Sequence, residues 1–297
     1  VSDAAPGLPR LDARRNAIRP NLADAALKGH AEATRFVTPT GASIAVPLVA
    51  LRRRPEPGAP VDTELLHGEP VDVFDTADGW AWVQSRVDRY VGYVEATALA
   101  APDVPAGMAP HRISVPLALV FPEPSIKVTP VTRLPMGAVV PASDLEKHGS
   151  ERFHRTPLGY ILTQHLTLAD RAAPDWVGVA ESFVGTPYLW GGKSWLGIDC
   201  SGLVQLALQM AGREAPRDSD MQAAELGTLL PHDPLPDLAR GDLVFWKGHV
   251  GIMLDGTRLL HANGYHHRTA VEPLAETIAR LNALGLLPTA YRRLSAA

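Results

Sequence analysis

The spacing of apolar positions changes along the chain. Between residues 36 and 100 they fall in short runs, 46–51, 71–74, 81–84 and 90–94, which read as strands. Turn residues separate the runs: Pro55-Glu56-Pro57-Gly58, His67-Gly68-Glu69 and Asp78-Gly79. About five short strands in so brief a span predict a small barrel. Trp80 and Trp82, alternating with alanine on one run, belong to its core. Residues 111–168 repeat the style, with runs at 113–120, 126–128, 138–141 and 158–162 and a turn at Leu134-Pro135-Met136-Gly137. Ala101-Pro102-Asp103-Val104-Pro105 reads as the linker between the two segments. Residues 1–35, rich in alanine, arginine and proline, read as an arm that lies on another domain.

From Pro174 the period becomes helical. Trp176, Val179, Ala180 and Phe183 make one stripe of a helix over 175–184. A Gly- and Trp-rich loop follows. Asp199 is placed to cap a helix from Cys200 to about residue 211, with Leu203, Leu206, Ala207 and Met210 on its apolar stripe and Gly212 as its stop. Asp218 caps a further short helix that ends at Gly227. Strands are expected at 243–246, 249–254 and 258–262, a helix at 274–284 and a closing strand at 290–294.

Composition narrows the function classes. At 297 residues with 46% hydrophobic and 20% charged positions, the chain has enough apolar material for two or three domains with cores. A net charge of −4 gives no basic surplus for nucleic acid or anionic lipid. The apolar runs are short and broken by proline, whereas a membrane-spanning helix needs about 20 apolar residues, so no span is expected. Without a visible export signal the expectation is a cytoplasmic protein, or a periplasmic or secreted one if a signal peptide was removed.

The chain has one cysteine, which excludes an internal disulfide and a Cys-rich zinc site. Cys200 opens a helix, where the partial positive charge of the N-terminus favours thiolate and the backbone amides are placed to hold an oxyanion. Gly202, two residues on, leaves room for a ligand at the first turn. A thiolate needs a base, and His249, between Gly248 and Gly251, is the best candidate. His261 lies 12 residues later on the next strand. A two-residue loop between these strands puts the two imidazoles on opposite faces. A three-residue loop, Asp255-Gly256-Thr257, pairs 254 with 258 and puts them on one face, so an odd-length loop or bulge is expected. There His261 orients the His249 ring. His266-His267 reads as a polar loop, and no metal site is expected.

Five ordered strings carry a resemblance over residues 174–294: Pro187-Tyr188-Leu189-Trp190-Gly191-Gly192, Asp199-Cys200-Ser201-Gly202, Arg240-Gly241-Asp242-Leu243-Val244-Phe245, Gly248-His249-Val250-Gly251-Ile252 and His261-Ala262. They resemble the NlpC-type family of bacterial cell-wall cysteine peptidases, which are papain-like Cys-His-His enzymes. The segments at 36–100 and 111–168 resemble the paired bacterial SH3-type domains that precede this peptidase in muropeptide-recycling members, through Leu65-Leu66-His67-Gly68-Glu69 and Tyr90-Val91-Gly92-Tyr93-Val94.

The resemblance implies an α+β papain-like C-terminal domain preceded by two small all-β SH3-like barrels. It divides the chain into an arm (1–35), a first barrel (36–105), a second barrel (106–170) and a peptidase domain (171–297). It implies Cys200 as nucleophile, His249 as general base and acid, and His261 as orienter. Tyr188 would line the site and support the oxyanion, while Asp199 and Ser201 would flank the nucleophile and bind substrate. Asp218 and Ser219 match a pair that holds the free amine of an N-terminal L-alanine. Tyr90 and Glu69 would narrow the cleft. The implied substrate is an L-Ala-γ-D-Glu-diamino acid stem peptide of peptidoglycan, cut at the γ-D-glutamyl bond without any cofactor. The alternatives are a hydrolase of polymeric wall anchored by the SH3-like domains, and a papain-like acyltransferase.

Overall fold

The computed structural model describes residues 11–232 and 237–295; the first ten residues of the expected arm lie outside the described residues. The chain packs as two units that divide between Asp103 and Val104.

In the first unit, one antiparallel sheet of seven strands carries the core. Its order is Leu99–Ala100, Thr40–Ile44, Pro70–Ala77, Trp80–Ser85, Val91–Glu95, Leu48–Arg52, Val61–Leu66. The recorded pairing runs from Leu99–Ala100 to Val61–Leu66 and joins no closing pair between those two ends. Ile44, Leu51, Leu65, Val71, Val83 and Val94 fill one face. The four expected strands are present. The strands Thr40–Ile44 and Val61–Leu66 were not expected, because their threonine, serine and acidic residues hide the alternation; Thr63 and Glu64 are nonetheless buried. The described part of the arm belongs to this unit. Leu22 and Ala17 pack with Phe74 and Trp82, and the Arg19 guanidinium lies 4.4 Å over the Trp82 ring while bonding Asp75 and the Tyr93 hydroxyl. Trp82 is thus core, as its alternation predicts, while Trp80 is only half-buried.

The second unit begins with three small antiparallel sheets between residues 109 and 168. The run expected at 113–120 is two strands, Ala109–Ile113 and Leu117–Val120. They are split at Pro116, which has no N–H to give a ladder. Residues 126–128 form a turn instead of a strand.

Among the described residues, four α-helices and a six-stranded sheet follow. The helices are α1 (Trp176–Glu181), α2 (Cys200–Met210), α3 (Ser219–Glu225) and α4 (Leu274–Asn282). The sheet order is Thr228–Leu229, Ala290–Arg293, Leu243–Trp246, His249–Met253, Arg258–Asn263, Arg268–Pro273. Helix α2 begins and ends where its cap and stop residues predict. It is buried nearly all round, with Leu203, Val204, Leu206, Ala207 and Leu208 out of solvent, and it packs on the His249 strand. Helix α1 stops at Glu181, three residues short of the expectation, and the chain then turns at Gly185, whose φ is +91°. In the Arg-Gly-Asp string, buried Asp242 takes two bonds from Arg293 (2.6 and 2.8 Å) and one from the Ala239 amide. That carboxylate fastens the closing strand to the sheet.

Because α2 carries residue 200 on a fully packed face, shortening that face should be felt globally. Leu206→Ala is expected to cost about 2–5 kcal/mol of unfolding free energy, measured by urea denaturation; a change within error would mean α2 is not the centre of this core.

Candidate active site

Asp199 sets the start of α2. It sits at the N-cap in an extended conformation, and its Oδ1 accepts from the Gly202 amide at 2.7 Å. Oδ2 accepts from the Gly191 amide at 2.9 Å, which ties down the Gly-Trp loop. Arg217, only 1% exposed, donates to both oxygens, Nη1 to Oδ1 at 2.9 Å and Nη2 to Oδ2 at 2.6 Å. Nη1 also reaches the Ser201 hydroxyl at 2.9 Å. A forked, charge-assisted pair of this kind holds a loop rigidly where water is excluded. Asp199 and Ser201 therefore have internal partners: they build the turn that presents Cys200.

Gly202 has a different task from the one expected. A Cβ there would collide with the Gly192 carbonyl, so the missing side chain admits backbone of the neighbouring loop and not a ligand. Its amide is already given to Asp199, so the oxyanion cannot use it.

Cys200 is buried, with 6% of its surface exposed. The amides of Val250 and Ser201 face its sulfur, which places the thiol beside the backbone of the strand that starts at His249. The surroundings of the sulfur oppose the expected thiolate. Burial pushes the thiol up to about 12, and the Asp199 charge adds to this; the Val250 amide, Arg217 and the Ser201 amide oppose it. The carboxylate that caps α2 opposes, at the sulfur, the positive end of the helix. Tyr188 is half-buried in the same place, and burial together with the Cys200 and Asp199 charges raises its phenol above the ordinary range. It keeps its proton and remains a donor.

The two histidines meet as the three-residue loop requires. Ile252 pairs with Leu260, Met253 with Leu259, and the Leu254 amide donates to the Arg258 carbonyl. Gly251 lies in this hairpin because a Cβ would press on the Leu259 side chain at 2.7 Å. His249 Nε2 lies 2.8 Å from His261 Nδ1. His249 is half-buried, its ring beside Trp246, and His261 is fully buried. Burial lowers both imidazoles below their usual range; His261 reinforces this at His249, and Glu272 resists it at His261. Beyond them, His261 Nε2 lies 2.6 Å from Glu272 Oε1. Arg280 of α4 grips Glu272 with two bonds, at 2.6 and 2.7 Å.

The sequence reading missed Arg217, Glu272 and Arg280. Arg217 directly precedes Asp218-Ser219 but gives no sign of burial. Glu272 lies on Arg268–Pro273, a strand that was not expected because Arg268, Thr269 and Glu272 interrupt its apolar pattern. Its one signal is an acidic residue near an arginine eight positions on.

The remaining expected residues fall as follows. Asp218 occupies the N-cap position of α3, yet its side chain makes no capping bond, and it and Ser219 are half-buried. Tyr90 is buried in the core of the first unit and Glu69 is buried on the turn before Pro70–Ala77. His266 and His267 lie in the turn before Arg268–Pro273, with His266 Nε2 3.4 Å from Glu272 Oε2. Among the described residues no group of three or more His, Cys, Asp or Glu side chains is placed to hold a metal ion, and no helix is long and apolar enough to cross a membrane.

A buried thiol beside a strand that delivers paired imidazoles is the arrangement of a papain-like cysteine peptidase. Residues 185–285 match the NlpC/P60 family, and residues 51–99 match the bacterial dipeptidyl-peptidase Sh3 domain. The chain belongs to the NlpC/P60 family and is a cysteine peptidase. It is 31% identical over 242 residues to the gamma-D-glutamyl-L-lysine dipeptidyl-peptidase of Bacillus subtilis (strain 168), covering 73% of this chain and 77% of that one. It is 29% identical over 231 residues to dipeptidyl-peptidase 6 of Lysinibacillus sphaericus, covering 72% and 84%. The fold is that of an NlpC/P60 family protein from Bacillus cereus ATCC 10987, with a TM-score of 0.68 at 20% identity over 86% of this chain and 99% of that one.

Two consequences are measurable. Gly202→Ala drives a methyl into the Gly192 carbonyl, so it is expected to destabilise by about 1–3 kcal/mol and to reduce turnover; unchanged melting and activity would show that the loop yields freely. The lowered imidazoles give an acid-sensitive fold. Above about pH 6.5 they are neutral whether folded or unfolded, and their contribution is complete. As pH falls below that value, the unfolded chain takes up protons that the folded one refuses, and stability drops. The melting temperature should fall between pH 7 and pH 5, less steeply for His249→Gln; parallel slopes would contradict this.

Proposed function

We propose that the protein is a peptidoglycan peptidase that hydrolyses the bond between γ-D-glutamate and the diamino acid of short stem peptides bearing a free N-terminal L-alanine. The observation that carries this reading is Cys200 at the start of α2, beside the strand that brings His249 onto His261. The names of relatives over most of their length support the substrate class.

In the proposed reaction the Cys200 thiol gives its proton to His249 as the sulfur attacks the γ-glutamyl carbonyl carbon. This avoids a standing thiolate, which burial and Asp199 disfavour. The protonated Tyr188 phenol stabilises the oxyanion. The C–N bond then breaks, the departing amine takes the proton from His249, and a thioester remains on sulfur. Water, deprotonated by His249, attacks the thioester and releases the acid and the thiol. His261 keeps the His249 ring in place. Asp218 and Ser219 hold the free ammonium of the L-alanine, for which a carboxylate at the start of α3 is the fitting partner. Asp199 and Ser201 serve substrate through the loop they brace. The two β segments ahead of the peptidase act as SH3-like modules that favour short peptides over polymeric wall.

The test uses L-Ala-γ-D-Glu-L-Lys and its diaminopimelate counterpart, the same peptides with an acetylated N-terminus, and intact sacculi. Free tripeptides should be cut, Cys200→Ala should abolish cleavage, and acetylation should raise KM at least about tenfold through loss of a charge-assisted contact. Equal turnover of acetylated and free peptide would remove the ammonium role, and preferential release from sacculi would favour the wall-anchored reading.

A further inference from the structure

The polar contacts at the site do not end at the second histidine. From His249 the contacts pass through buried His261 and Glu272 to the partly exposed Arg280, on three different elements: the strand Arg258–Asn263, the strand Arg268–Pro273 and helix α4. His261 Nε2 lies 2.6 Å from Glu272 Oε1, and Arg280 donates to both oxygens of the same carboxylate. The groups that face Glu272 are His261, Arg280 and, at 3.4 Å, His266. Arg280 is in turn stacked 4.1 Å over the Tyr265 ring, which fixes its approach.

We propose that Glu272, clamped by Arg280, is a positioning residue of the peptidase: it fixes the proton of His261 on Nε2 and thereby decides which nitrogen of His249 is left to act as base. The reasoning is a chain of donors and acceptors. An ionised carboxylate only accepts, so the nitrogen facing it must carry hydrogen. His261 is therefore the Nε2–H tautomer and its Nδ1 holds a lone pair. That lone pair faces His249 Nε2 at 2.8 Å, so His249 must donate there. The hydrogen of neutral His249 is thus on Nε2, and Nδ1 is left as the acceptor for the Cys200 proton. When the thiol gives up its proton, it moves to His249 Nδ1, the Nε2–H stays donated to His261, and Glu272 remains the anion beyond them. Glu272 is fit for this role. Burial alone would raise its carboxyl, but the His261 and Arg280 bonds hold it below the ordinary range.

This inference rests on the catalytic reading of Cys200, His249 and His261, and the experiment separates the two. Glu272→Gln keeps the size but adds an amide that can donate to His261 and reverse the whole sequence of tautomers. Its kcat on the tripeptide should fall roughly 10- to 100-fold with KM within about threefold. The acid limb of the kcat/KM profile should move to lower pH, because the anion that favours the imidazolium is gone. In a His261→Ala background the same substitution should add no further loss. Should Glu272→Gln not fold, nitrogen NMR of the wild-type histidines reads the tautomer directly, and His261 should carry its proton on Nε2 from pH 6 to 8.

Glu272→Gln with wild-type kcat and an unmoved acid limb, losses that multiply in the His261→Ala background, or a His261 proton on Nδ1 would each overturn the proposal. In those cases Cys200→Ala would still be inactive if the catalytic reading holds. Activity retained by Cys200→Ala would instead remove that reading itself.

Discussion

The buried pairing of Asp199 with Arg217 is the constraint on which the site depends. One carboxylate caps α2, fastens the Gly191 amide and takes both arms of a guanidinium that is almost entirely out of water. Removing either partner would leave a charge without compensation in the interior, which is far more costly than the pair is worth. The position of Cys200 is therefore set by the fold itself, through a carboxylate whose oxygens are taken by internal partners. The Gly192 carbonyl can approach Gly202 only because Gly202 carries no side chain.

That arrangement has an electrostatic cost that shapes the chemistry. The same negative charge that stabilises the start of the helix stands beside the sulfur and, with burial, holds the thiol protonated. The imidazoles are likewise held neutral. In the proposed reaction charge separation is thus delayed until the proton moves between Cys200 and His249, where the two new charges compensate each other. In that reaction Glu272 and the partly exposed Arg280, on the far side of His261, supply a fixed anion and its counter-ion that keep both rings in register for this transfer.

Much of the peptidase part could be read from the chain because its signals are local. Asp199, the stripe from Leu203 to Met210 and Gly212 delimit α2 correctly. The two histidines share a face only with a three-residue loop, and the register obeys it. What escaped is non-local or polar. The strand Arg268–Pro273 buries Thr269 and Glu272 against partners brought in from other elements, so its pattern looks like a loop. Arg217 is hidden for the same reason, since only the fold shows that its partner is the helix cap. The thiolate expectation weighed a helix N-terminus without the burial of the sulfur and the carboxylate that caps the helix, and both oppose ionisation. In the β segments, turn residues found most strands, while Pro116 divided one and Thr63 and Glu64 disguised another.

The central claim is that acyl transfer passes through sulfur at position 200. Mixing the enzyme with L-Ala-γ-D-Glu-L-Lys, quenching in acid within one turnover and analysing peptides by mass spectrometry addresses it most directly. The account predicts an L-Ala-D-Glu acyl group on the peptide containing Cys200, lost on treatment with hydroxylamine. Full turnover with that peptide unmodified at every quench time, and the acyl group absent or on another side chain, would contradict it.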